Sequence, residues 1–325
     1  MIGTFIFWIV VFIAAFYVLL RGSDYLIENA EAIGINFGLS PFIIGVLIIG
    51  IGTSIPELAA SFVAIFSGAT EIVTANAVGS NIANILIVLG ITAVITHNIQ
   101  VEKNLIYLDL PLLLITTILF IGVVIGKEML ANGTEEFIIN RGEAIFLIAV
   151  YLIYAAYSLF YQDSYIEKIK SLLDRPQVDW RNWALLFGGV FGVVIGAKLV
   201  VDATLALSGM LNIGVGIISI VAIALGTSLP ELSVSLKAAR AGKPELAIGN
   251  IFGSSVFNIL MLVGLPGIFT TLIIEESVVF IGIPVLLAAT LIFVISGISN
   301  KVHRWDGAMY IMLYILFLAK LFGLF

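Results

Sequence analysis

Between residues 32 and 70 the chain carries one charged side chain, Glu57, and between 203 and 236 again only one, Glu231. Six further runs, 1–20, 72–101, 144–162, 182–197, 246–274 and 277–300, contain no Asp, Glu, Lys or Arg at all. A helix needs about 20 apolar residues to cross a bilayer, so these runs predict a polytopic membrane protein. Transmembrane β-strands are about ten residues long and alternate in polarity; the continuous runs here exclude a barrel. Only 11% of residues are charged and 61% are hydrophobic, against about 25% charged in soluble proteins. The mean hydropathy of +1.18 does not fit a soluble globule. A nucleic-acid binder needs a basic face, whereas 15 Lys+Arg stand against 21 Asp+Glu for a net charge of −6. The absence of cysteine removes disulfides, thiolate metal sites and thiol nucleophiles, and two histidines leave little imidazole chemistry. No cleavable signal peptide is expected, because the first apolar run lacks a basic leader.

The hydropathy pattern predicts an all-α membrane protein of ten transmembrane helices, near 2–33, 40–67, 72–96, 104–126, 139–160, 182–207, 213–240, 244–270, 277–299 and 305–323. Both termini then share one side. Connections on the opposite side hold ten basic residues (Lys103, Lys168, Lys170, Arg175, Arg181, Lys237, Arg240, Lys243, Lys301, Arg304), and the terminus side holds three, Lys127, Arg141 and Lys320. Cytoplasmic loops are enriched in Lys and Arg, so both termini are expected outside the cytoplasm. Residues 161–181, long and charged, read as a cytoplasmic linker between halves 1–160 and 182–325. Trp180, Trp183 and Trp305 fit an interfacial belt.

The halves are related. Gly52-Thr53-Ser54-Ile55-Pro56-Glu57-Leu58 recurs as Gly226-Thr227-Ser228-Leu229-Pro230-Glu231-Leu232, an offset of 174 that also maps Asn76 onto Asn250, Ser80 onto Ser254, Asn84 onto Asn258 and Gly22 onto Gly196. Five helices per unit is an odd number, so the second unit enters the membrane from the opposite side. Inverted repeats with broken helices, here helices 2 and 7, put ion or substrate sites near the midplane where the halves meet.

A lone carboxylate in mid-span costs roughly 2.5–3.5 kcal/mol to insert and usually faces a cavity or a partner; the bland alternative is a pair of hydrogen-bonded carboxyls joining helices. Pro56 and Pro230 free carbonyls one turn earlier, which hydrocarbon cannot satisfy. Thr53 and Glu57 lie i, i+4 on one face with Ser54 beside them, Ser80 and Asn84 are again i, i+4, and Thr227, Ser228, Glu231, Ser254 and Asn258 repeat the pattern. Together they offer two carboxylates, two amides, six hydroxyls and bare carbonyls. Hard oxygen donors of this kind suit Na⁺ and Ca²⁺ rather than zinc or copper. Singly, each Ser, Thr or Asn could equally be interhelical glue. Asn76 and Asn250 would support these ligands from behind. Arg21, Asp24, Glu28 and Glu31, with Lys198 and Asp202, read as interfacial residues or ion pairs. Asp109 reads as a helix-start carboxylate, His97 and His303 as loop residues, and Glu275 and Glu276 as a solvated loop pair.

At these motifs the chain resembles the sodium/calcium exchanger family of the cation/Ca²⁺ exchanger superfamily, of the prokaryotic calcium/sodium antiporter type. The resemblance centres on 52–89 and 226–263. It implies a core of helices 2, 3, 7 and 8 around four cation sites, with helices 1 and 6 sliding past it to alternate access. It also implies that Glu57 and Glu231 are ligands shared by Ca²⁺ and Na⁺. Thr53, Thr227, Ser54 and Ser228 would supply hydroxyl or carbonyl oxygens. Ser80 and Ser254, with the carbonyls of Gly50 and Ala224, would line the outer and inner Na⁺ sites, and Asn84 and Asn258 would hold the middle position. Well-known branches of the family have an aspartate where this chain has Asn258, which argues against potassium dependence and leaves Na⁺:Ca²⁺ ratios of 3:1 and 2:1 open. The expected activity is Ca²⁺/Na⁺ antiport, with Ca²⁺/H⁺ antiport of the same fold as the alternative. Neither needs an organic cofactor, a nucleic acid or an obligate protein partner, and a monomer in the lipid bilayer would suffice. An intramembrane hydrolase is disfavoured because Ser54 and Ser228 have no nearby His or Lys, and a channel because such sites occlude.

Overall fold

In the computed structural model, residues 2–66, 68–100, 109–129, 135–160, 177–210, 228–298 and 301–321 are described. They form α1 (Ile2–Asn36), α2 (Pro41–Phe66), α3 (Glu71–Thr96), β1 (Asn98–Gln100), α4 (Asp109–Val124), β2 (Lys127–Met129), β3 (Glu135–Ile139), α5 (Arg141–Phe160), α6 (Trp180–Met210), α7 (Leu229–Arg240), α8 (Pro244–Phe269), β4 (Leu272–Ile274), α9 (Val278–Gly297), β5 (Lys301–His303) and α10 (Arg304–Leu321). The chain is thus mostly helical. Among the described residues α1, α2, α3, α5, α8 and α9 are long and apolar enough to cross a membrane, and Leu110–Val124 and Trp180–Gly196 are shorter apolar helices. The first part of the expected helix 7, the start of helix 4 and most of the 161–181 connection lie outside the described residues.

The polarity of the fold is that of a protein dissolved in lipid. Large apolar side chains such as Phe7, Ile13 and Tyr17 on α1, Ile153 on α5, Phe191 on α6 and Ile295 on α9 are exposed, while Thr53, Ser54, Glu57, Asn84, Glu231, Asn250 and Asn258 are buried. The helices carrying that polar interior are α2, α3, α7 and α8. Most of α8 is buried, and it packs on α2, α3, α5 and α7.

Several helix pairs approach backbone to backbone, two of them between motif-bearing or repeat-related helices. At Gly253 on α8 an added Cβ would fall 2.2 Å from the Val46 carbonyl oxygen, and at Gly45 on α2 it would fall 2.6 Å from the Leu246 oxygen. Small residues let membrane helices approach this closely, where dispersion and polar contacts replace the hydrophobic effect. The second pair is α1 with α6. A Cβ at Gly22 would sit 2.7 Å from the Val193 nitrogen, and one at Gly196 would sit 2.6 Å from the Leu19 nitrogen. Gly22 and Gly196 are repeat-related positions, so the duplicated sequence supplies both sides of this contact.

The α1–α6 pair meets the core through an apolar cluster, in which Leu26, Ile33 and Val193 pack with Ile49, Val234 and Leu246, and through polar contacts. Ser23 Oγ lies 2.9 Å from Ser233 Oγ. Lys237 Nζ donates to the Leu20 carbonyl and to Asp24, both at 2.5 Å, and Lys243 pairs with Glu31. The ion-pair reading of Asp24 and Glu31 therefore holds, with partners on α7 and just before α8. Short strands tie the helix ends: β1 pairs antiparallel with β5, and β2, β3 and β4 form a second sheet in that order. His303, expected in a loop, lies in β5, where Nδ1 is 2.9 Å from Asn98 Oδ1. His97 ends α3 with φ 69°.

Candidate cation site

Proline chemistry breaks α2 where the sequence predicts. Pro56 has no N–H for the Gly52 carbonyl, and the helix is interrupted at Ser54, with φ −87° and ψ 5°. Ser228, its repeat mate, has φ −88° and ψ 3° and leads into α7, which carries Pro230 in its first turn. Two copies of one motif thus adopt one backbone conformation. The bridge region both occupy is sparsely populated and frequent at functional sites. Two further irregularities lie on the motif-bearing helices α2 and α3. A π-helical stretch, Ile44–Ile49, runs up to Gly50, and another, Asn84–Val88, begins at Asn84 itself; such stretches often mark functional positions.

These breaks bring the motif side chains together. Ser54 Oγ donates to Glu231 Oε1 at 3.3 Å, joining the halves beside the two carboxylates. Glu57 and Glu231 are fully buried. Thr53 Oγ1 lies 3.3 Å from the Gly50 carbonyl oxygen, 3.3 Å from Ser254 Oγ and 3.1 Å from Asn250 Oδ1, and Ser254 Oγ donates to the same Gly50 oxygen at 3.2 Å. Gly50 and Thr53 of α2 thus meet Asn250 and Ser254 of α8, and Ser54 of α2 meets Glu231 of α7. Asn81 Nδ2 donates to the Ser255 carbonyl at 2.9 Å, a contact between equivalent positions of the two repeats.

Several of the predicted donors have no hydrogen-bond partner among the described residues. Both oxygens of Glu57, Glu231 Oε2, Ser228 Oγ, and both the oxygen and nitrogen of the Asn84 and Asn258 amides are buried and unmatched. A buried neutral polar group left unpaired costs about 1–3 kcal/mol, and a charged one more. Stability alone does not account for so many in the motif residues. Their oxygens are of the hard type that suits Na⁺ or Ca²⁺.

Thr227 and Ala224 lie outside the described residues. Ser80 is buried and donates to Asn76 Oδ1 at 3.4 Å. Asn76 Nδ2 in turn donates to the Glu57 carbonyl at 3.1 Å and to Ser61 Oγ at 3.3 Å. Asn250 Nδ2 makes the equivalent pair of bonds, to the Glu231 carbonyl at 3.3 Å and to Ser235 Oγ at 2.8 Å. Ser61 and Ser235 were not singled out by the motif reading. They could have been, since they obey the 174 offset and lie four residues beyond each glutamate.

Comparison with known proteins gives a consistent result. The family model described as sodium/calcium exchanger protein matches residues 7–160 and 181–323. A sodium/calcium exchanger, MaX1, from Methanosarcina acetivorans is 30% identical over 94% of this chain and 95% of its own length. An uncharacterized membrane protein, MJ0091, from Methanocaldococcus jannaschii is 32% identical over 95% of this chain and 96% of its own. A solved structure of the sodium-calcium exchanger NCX_Mj soaked with Na⁺ and Sr²⁺ superposes with a TM-score of 0.81 at 30% identity, covering 97% of this chain and 99% of that one.

Proposed function

The chain belongs to the sodium/calcium exchanger family, and on that premise we propose that it is a secondary antiporter exchanging Ca²⁺ for Na⁺ at one shared site. Ten transmembrane helices form two inverted five-helix repeats, and both termini lie outside the cytoplasm. The strand pairings support this topology. β1 and β5 follow α3 and α9, and β2, β3 and β4 follow α4 and α8, so each sheet joins connections that alternate passages put on one side. The observation that carries the functional reading is that buried oxygens of the motif residues Glu57, Glu231, Asn84 and Asn258 have no hydrogen-bond partner among the described residues, while Ser54 joins the halves at Glu231.

Glu57 and Glu231 supply the charge. Ca²⁺ takes 6–8 oxygens at about 2.3–2.6 Å, which two carboxylates with neighbouring carbonyls can provide. Gly50, Thr53, Ser54 and Ser254, with Ala224, Thr227, Ser80 and Ser228 as their counterparts, supply neutral oxygens for Na⁺. Antiport follows from mutual exclusion: both ions need the same two carboxylates, so neither is held while the other is. Two carboxylates neutralise one Ca²⁺ or two Na⁺. A third Na⁺ leaves one net positive charge, whose cost in low dielectric is borne by the amide oxygens of Asn84 and Asn258. Ratios of 2:1 and 3:1 are both compatible with this donor set. Alternating access requires the α1–α6 pair to shift against the core, sliding on the apolar cluster it shares with α2, α7 and α8. The reading needs no protein partner and no cofactor, and it assigns no enzymatic step.

Reconstituted vesicles test it. Ca²⁺ uptake driven by an outward Na⁺ gradient is expected. Uptake driven by an outward H⁺ gradient in the absence of Na⁺, with none driven by Na⁺, would replace the reading with Ca²⁺/H⁺ exchange.

A further inference from the structure

We propose that Asn250, locked by Ser235, is the positioning residue that frees Thr53 to coordinate Na⁺. This inference rests on the exchange reading above and names a device within it. A hydroxyl that binds a cation through its oxygen must turn its proton away from the ion, so it needs an acceptor outside the coordination sphere. Among the described residues the hydrogen bonds of Thr53 Oγ1 run to three neighbours, the Gly50 carbonyl, Ser254 Oγ and Asn250 Oδ1. The first two are themselves cation donors. Asn250 Oδ1 is the remaining one and the nearest, at 3.1 Å.

That oxygen faces Thr53 because the amide is held in one orientation. An Asn carboxamide can be reversed without changing its shape, and its neighbours decide which end is which. Asn250 spends its two N–H bonds on the Glu231 carbonyl and on Ser235 Oγ. Ser235 is fully buried and passes its own proton towards the Ala247 carbonyl at 3.5 Å, so its oxygen is free to accept. The chain Ala247–Ser235–Asn250–Thr53 therefore has one proton direction, ending with the Thr53 lone pairs turned towards Gly50 and Ser254. The first repeat builds the same bracket from Glu57, Ser61 and Asn76, with Ser80 as the hydroxyl that is oriented. The Glu–Ser–Asn bracket is thus kept in both copies of the repeat.

The group being oriented contains neutral oxygens, which suit a monovalent ion. Ca²⁺ depends on the paired carboxylates. Loss of the bracket should therefore weaken Na⁺ more than Ca²⁺. The test uses the full chain in vesicles and two assays: Na⁺-driven Ca²⁺ uptake, read as half-saturating Na⁺, and Na⁺-free Ca²⁺/Ca²⁺ exchange, read as half-saturating Ca²⁺. Ser235→Ala should raise half-saturating Na⁺ about fivefold more than half-saturating Ca²⁺, the effect of about one hydrogen bond. Asn250→Leu should act in the same direction, and Ser235→Thr, which keeps the hydroxyl, should restore Na⁺ dependence. Equal shifts for both ions, no shift, or failure of the threonine to restore would overturn the proposal. If the unsubstituted protein lacks Na⁺-driven uptake, the exchange reading falls and this inference falls with it. If that uptake is present and the serine variants behave alike, only the inference falls.

Discussion

Replacing Gly253 with alanine should injure the cation site without touching any of its ligands. The new Cβ would stand 2.2 Å from the Val46 oxygen and 2.6 Å from its Cα, backbone atoms that no rotamer change can move aside. To reach ordinary contact at 3.4 Å the two helices must separate by about 1.2 Å along that line. Ser254 is the next residue on α8 and moves with it. Its bond to the Gly50 oxygen, 3.2 Å, and its contact with Thr53, 3.3 Å, would both stretch past hydrogen-bonding range. Overpacking of this kind costs about 1–3 kcal/mol of stability. The loss of one oxygen from a cation's shell is worth a similar amount, or about tenfold to a hundredfold in affinity. Half-saturating Na⁺ in vesicle uptake, together with thermal melting in detergent, measures both. Gly188→Ala on α6, where an added Cβ meets nothing within 4 Å, serves as the control and should behave as the unsubstituted protein. Undiminished ion affinity in Gly253→Ala would refute the claim that close approach of α2 and α8 builds the site.

Other outcomes follow from the same geometry. Glu57→Gln and Glu231→Gln should each abolish Ca²⁺ transport, since either leaves one carboxylate against a divalent ion; normal flux in either variant contradicts the shared-site assignment. Asp24→Asn should alter turnover by less than about fivefold and leave half-saturating Ca²⁺ unchanged, because the pair with Lys237 is partly exposed and such pairs contribute about 1 kcal/mol or less. The charge swap Asp24→Lys with Lys237→Asp should recover the original rate. Substituting choline for K⁺ on both sides of the vesicle should leave exchange unaffected, as both middle positions are asparagine.

Much of this was legible in the sequence because membrane insertion writes strong signals. A lone glutamate in a long uncharged run needs a reason, and a proline next to it in both copies of a repeat limits the backbone to one response. Ser54 and Ser228 accordingly share φ and ψ to within a few degrees. The contacts Ser54–Glu231 and Thr53–Ser254 join motif residues of the two copies. Other features stayed hidden because they depend on which helix faces which. Nothing in the local sequence says that Lys237 reaches Asp24, more than 200 residues earlier, or that Asn250 bonds Thr53 of the other half. The π-helical entry into Gly50 also has no sequence signature, since Ile44–Ile49 reads as plain apolar helix. Three-residue strands such as β1 and β5 are too short to stand out beside long apolar helices.

The central claim is that one acid from each repeat holds the transported ion jointly and that both ions compete for it. Equilibrium binding of radioactive Ca²⁺ to the purified protein across a Na⁺ series tests this most directly. The account predicts saturable Ca²⁺ binding that Na⁺ displaces competitively and that vanishes in both Glu57→Gln and Glu231→Gln. Ca²⁺ binding that persists in either variant, or that Na⁺ leaves untouched, would contradict it.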